Sequence, residues 1–149
     1  MKEKILVSSC LLGRPTRYDG RSVGYQGIDA LLEKYDIIEA CPEVAGGLPT
    51  PRAPSERIGD RVVMRDGRDV TEEFTLGAKK AYELCVLHNI KIAVLKEKSP
   101  SCGAGRIYDG SFTGTLCDGN GVTAEYLSSR GVSVYGESHI AELLKEKED

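Results

Sequence analysis

Three short apolar runs, Lys4-Ile-Leu-Val-Ser8, Asp36-Ile-Ile-Glu-Ala40 and Lys91-Ile-Ala-Val-Leu95, each lead into a loop that carries a cysteine. Runs of this length, rich in Ile, Leu and Val and followed by turn residues, read as buried strands. Between them lie stretches with helical spacing. Ile28 to Tyr35 is one. Asp69-Val-Thr71-Glu-Glu-Phe opens another, which continues through Leu76, Ala81, Leu84 and Leu87 until Asn89 closes it. Strands alternating with helices require crossover connections, hence a parallel sheet covered on both faces. The expected fold is a single α/β domain over residues 1–149, Rossmann-like and three-layered, with a mostly parallel sheet and helices on both faces. If the three runs are neighbours, Cys10, Cys41 and Cys102 emerge at one sheet edge, the edge where open α/β sheets bind ligands.

The thiols gain weight from their setting. The chain has no continuous apolar stretch long enough for a membrane span, and Met1-Lys-Glu-Lys-Ile-Leu-Val lacks the pattern of a cleavable signal peptide. The expected compartment is therefore a reducing cytoplasm, with no membrane partner. There, five cysteines are an odd set that does not read as a disulfide framework. A net charge of -3 and the absence of Trp argue against a bulk nucleic-acid surface. They leave room for a small anionic or nucleobase-like substrate.

The rest of the chain is punctuated by turns. Leu11 to Ser22 is a loop with Gly13, Pro15, Asp19 and Gly20. The segment from Cys41 to Glu56 holds four of the six prolines, so a regular helix cannot persist through it. Arg57 to Val70 looks like a small hairpin turning at Asp66-Gly67. A helix is expected from Gly121 to Arg130 with Gly131 as its stop, then a strand at Val132–Tyr135 and a last helix from Ile140. No internal duplication is evident.

A lone cysteine at a strand end is usually a small hydrophobe; three together favour function. Cys85, mid-helix between Leu84 and Val86, reads as core, and Cys117 reads either as a thiol near the site or as structural. Structural zinc normally takes four ligands, often from Cys-x-x-Cys pairs, and no such pair exists here. His88 and His139, the two histidines, read as surface or capping residues. Zinc held by three cysteines and water stays open, beside a [4Fe-4S] cluster on three cysteines with one iron left as a Lewis acid. Glu43, two residues past Cys41 in a restrained loop, is placed for general acid/base work. Ser101 either caps its loop or handles a proton beside Cys102. Ser8, Ser9, Arg17, Tyr18, Asp19, Arg52 and Lys98 are candidates for positioning a ring or an attached phosphate.

Four segments carry a resemblance: Val7-Ser-Ser-Cys-Leu-Leu-Gly13, Cys41-Pro-Glu-Val-Ala-Gly-Gly-Leu-Pro-Thr-Pro-Arg52, Lys96-Glu-Lys-Ser-Pro-Ser-Cys-Gly103 and Ile107-Tyr-Asp-Gly-Ser-Phe-Thr-Gly-Thr115. In this order they resemble the short bacterial domain family that includes thiouracil desulfurase, over nearly the whole chain. The resemblance implies a [4Fe-4S] cluster ligated by Cys10, Cys41 and Cys102, with Glu43 and Ser101 as the catalytic pair. The implied reaction is non-redox removal of sulfur as sulfide from a small thiolated base, and a cluster enzyme implies iron–sulfur assembly machinery as a partner. Two other readings stand beside it: an iron–sulfur or metal-binding sensor module, and a cluster-free thiol-dependent binding domain.

Overall fold

Ile5, Leu6 and Val7 are all fully buried, which accounts for a first run without polar alternation. A strand covered on both faces has no solvent side to mark. The structure is a computed structural model that describes residues 2–12, 28–50 and 54–146. Strand β1 (Lys4–Ser8) is followed by helix α1 (Ile28–Lys34), β2 (Asp36–Ala40) and a single helical turn, α2 (Pro42–Ala45). A hairpin of β3 (Ser55–Ile58) and β4 (Arg61–Met64) precedes the long helix α3 (Thr71–His88) and β5 (Ile92–Leu95). A second hairpin joins β6 (Arg106–Tyr108) to β7 (Leu116–Asp118), after which come α4 (Val122–Ser129), β8 (Ser133–Gly136) and α5 (Ile140–Glu146).

The main sheet runs β2-β1-β5-β8, parallel throughout. Leu6, Ala93 and Leu95 pack on one face with Ala81 and Cys85 of α3 and Ala124 and Leu127 of α4. Ile5, Val7 and Val94 pack on the other with Leu31 of α1 and Leu143 of α5. These are the three layers expected from the sequence. Because α1 and α3 leave on opposite faces, the chain direction reverses between β1 and β5, and a crevice opens at their carboxyl ends.

Two details differ from expectation. The hairpin turns at Gly59-Asp60, where Gly59 has φ +60, while Asp66-Gly67 makes the next turn, bringing Asp69 back beside Val63. The Asp-Gly signal was real, but a second Gly-containing turn lay seven residues earlier. The proline-rich segment also holds one helical turn, α2, because Pro42 sits at its first position, where no backbone donor is needed.

That turn lies hard against α3. A Cβ on Gly77 would stand 1.9 Å from the Pro42 carbonyl oxygen, and one on Gly46 1.9 Å from that of Glu73. Only glycine at both crossing points lets the two helices approach this closely. The contact fixes Cys41, the residue that caps α2.

Candidate metal centre and substrate cavity

Each cysteine reaches the carboxyl edge by a different local device. Cys10 lies in a 3-10 turn, Ser9–Leu12, directly after β1. Cys41 follows β2 and caps α2. Cys102 sits in the loop after β5, where the Ser99 hydroxyl oxygen accepts the N–H groups of Ser101 and Cys102, both at 3.0 Å. The same loop is locked to α4: the Ser101 carbonyl accepts N–H bonds from Thr123 and Ala124, at 2.8 and 3.1 Å. A Cβ on Gly121 would strike the Ser101 backbone at 2.4 Å, so this docking too depends on glycine.

The three cysteines line one cavity of about 360 Å³. Glu43, in the single turn of α2, lines it as well. Burial pushes the Cys102 thiol well above its ordinary pKa. A Ser8 hydrogen bond opposes that rise, and negative charge at Cys10, Glu43 and Cys41 adds to it. The four groups therefore share one electrostatic neighbourhood. Among the described residues, no three histidine, cysteine or acidic side chains close on a single ion position. The donor set is three sulfurs spread round a cavity, with His139 far along the chain beside Glu142. Soft sulfur donors around a space wider than one ion suit an iron–sulfur cluster better than mononuclear zinc.

The other expected residues divide. Ser8 and Ser9 are buried and line the cavity, and the Ser8 hydroxyl oxygen accepts the Lys96 N–H at 2.9 Å, tying β1 to the end of β5. Lys98 lines it from a left-handed backbone conformation, φ +68. Arg17, Tyr18, Asp19 and Arg52 lie outside the described residues. Ser101 does not line the cavity: it is fully buried, and its hydroxyl is hydrogen-bonded to that of Thr123 at 2.8 Å. Cys85 is 2% exposed in the core, as expected. Cys117 lies on β7, opposite Ile107 and away from the cavity lining.

Sequence reasoning nominated none of several further lining residues. Lys96 reaches inward and pairs with the buried Glu137 carboxylate at 2.9 Å. Glu56, Arg65, Tyr108 and Phe112 line the side formed by the two hairpins. Tyr108 and Phe112 belong to the segment Ile107–Thr115, but nothing local in the sequence says that a stretch more than sixty residues beyond Cys41 returns to the same cavity.

Comparison with known proteins places the chain in a family and beside a solved fold. A family model described as 2-thiouracil desulfurase matches residues 5–139. The uncharacterized protein YbbK of Bacillus subtilis strain 168 is 40% identical over 150 residues, spanning 94% of this chain and 99% of the relative. A solved structure described as the [4Fe-4S]-dependent thiouracil desulfidase TudS is similar with a TM-score of 0.92 and 50% identity, covering 99% of each chain.

Proposed function

The chain belongs to the 2-thiouracil desulfurase family, and from that premise we propose that it hydrolyses the thiocarbonyl of a small thiolated base such as thiouracil. Water replaces sulfur at the ring carbon, and sulfur leaves as sulfide. Sulfur is at the sulfide level throughout, so no electron donor is required. The observation that carries this reading is the meeting of Cys10, Cys41 and Cys102, remote in sequence, around one cavity that Glu43 also lines.

Those three cysteines would hold a [4Fe-4S] cluster. Bound on three thiolates, the cluster supplies an iron without a protein ligand, a Lewis acid suited to sulfur. The chain's own groups do the rest. Glu43 accepts a proton from the attacking water and returns it to the departing sulfur. Ser101 joins that proton traffic once its hydroxyl leaves Thr123. Ser8 and the Ser99 hydroxyl keep Cys102 in place. The buried wall at Ser8, Ser9 and Ala40 limits water around the reacting carbon. A cluster of this kind fits a reducing cytoplasm and delivery by iron–sulfur assembly machinery. No helix among the described residues is long and apolar enough to cross a membrane.

Anaerobic reconstitution followed by incubation with 2-thiouracil tests the reading. Uracil and sulfide should form in equal amounts without added reductant. Glu43→Ala should lose about a hundredfold or more in kcat while keeping the visible absorption of the cluster. A fully loaded protein that releases no sulfide from any thiolated base would overturn the reading.

A further inference from the structure

Glu56 is a buried carboxylate whose hydrogen bonds are spent on one distant loop. It is 8% exposed, on β3, and its Oε1 accepts the N–H of Gly110 at 2.9 Å and that of Phe112 at 3.1 Å. Those two donors belong to a loop held in unusual conformations. Gly110 has φ +95, and Phe112 has φ +59, which a non-glycine residue adopts rarely. Backbone of this kind persists only where its surroundings enforce it. A second tie comes from Arg65, whose guanidinium donates to the Phe112 carbonyl at 3.3 Å and lies 5.8 Å from the centre of the Phe112 ring. The enforced result is that Phe112 and Tyr108, two aromatic residues, line the cavity that the three cysteines line.

Metal ligation does not explain an aromatic wall, and neither does proton transfer. A flat heteroaromatic substrate does, because every such ring has a π-face to offer an aromatic side chain. We propose that Phe112 stacks on the ring of the substrate, and that Glu56 is the positioning residue that holds Phe112 to that task. The inference rests on the desulfurase reading and deepens it. The site selects aromatic thiones over saturated ones that present the same thiocarbonyl.

The test uses cluster-loaded protein, with iron and sulfide content measured for each variant. Phe112→Ala should weaken binding of uracil, followed by NMR titration, by about tenfold. It should raise KM for 2-thiouracil by a similar factor with kcat nearly unchanged. The loss for 5,6-dihydro-2-thiouracil should be much smaller, and Phe112→Tyr should restore the aromatic substrate. Both loop bonds end on Oε1, so Glu56→Gln keeps an acceptor there and should keep KM, whereas Glu56→Leu should raise it like Phe112→Ala. Uracil affinity and KM within twofold of wild type in Phe112→Ala would overturn the proposal, as would an equal loss on both substrates. A loss of kcat in Glu56→Gln would overturn its assignment as a positioning residue. A loaded wild type that neither binds uracil nor converts thiouracil would overturn the desulfurase reading together with this one.

Discussion

Ser101 has two tasks available, and its bond to Thr123 allows them to be separated. With both hydroxyls buried, removing either leaves the other without its partner, at about 1–3 kcal/mol. Ser101→Ala and Thr123→Val should therefore lower thermal stability to similar extents. If Ser101 moves a proton, only Ser101→Ala should also cut kcat, by about tenfold or more at full cluster occupancy. Equal kcat in the two variants would reduce Ser101 to a structural residue. Cys85 offers a pH test free of the site. Burial raises its pKa to about 11, so the folded chain favours the neutral thiol. That contribution is fully present below the ordinary thiol pKa of about 8.5 and is lost as pH rises. The melting temperature of cluster-free wild type should fall more steeply than that of Cys85→Ala between about pH 8.5 and about pH 11; parallel curves would refute the assignment. At this scale the sequence was legible where chemistry sits beside a strand end, as for the three cysteines and Glu43. It was silent where the decisive fact is a rotamer, as for Ser101, or a partner more than fifty positions away, as for Glu56.

Elements matter here chiefly through where they touch. Gly77 and Gly46 let α2 lie on α3, and α2 carries Glu43 with Cys41 at its cap. Gly77→Ala inserts a methyl group where the Pro42 carbonyl already stands. It should cost about 1–3 kcal/mol by overpacking. Because α2 is the softer partner, one turn against an eighteen-residue helix, the shift should fall on Cys41 and Glu43. The expected variant is folded by circular dichroism yet retains less iron than wild type after anaerobic reconstitution. Wild-type iron content would mean that the contact does not set the ligand. The long helix itself was readable from its apolar spacing and from Asn89, which ends it in the left-handed conformation at φ 55. The β6–β7 hairpin was not readable, since strands of three residues carry too little periodicity to stand out. The single turn of α2 was hidden for a related reason: its proline permits a helix start while arguing against a long helix.

Across the whole molecule, Cys10, Cys41 and Cys102 sit in the loops that follow β1, β2 and β5, three adjacent strands of the sheet. The layered fold was legible because buried parallel strands and amphipathic crossovers each leave a strong pattern. The cavity's hairpin side was not, because it is assembled from two excursions that the sheet does not dictate. Binding a group at that edge should therefore stabilise the entire chain, since ligation favours the folded state alone. Its pH dependence has the opposite sign to that of Cys85. Ligation requires thiolates, while burial and neighbouring negative charge keep Cys102 protonated in the cluster-free chain. Loading must then expel protons and become more favourable as pH rises. The difference in melting temperature between loaded and cluster-free protein, measured anaerobically, should widen from about pH 6.5 to about pH 8.5. A gap that stays constant or narrows over that interval would mean that Cys102 does not give up a proton on loading, and so does not serve as a thiolate ligand.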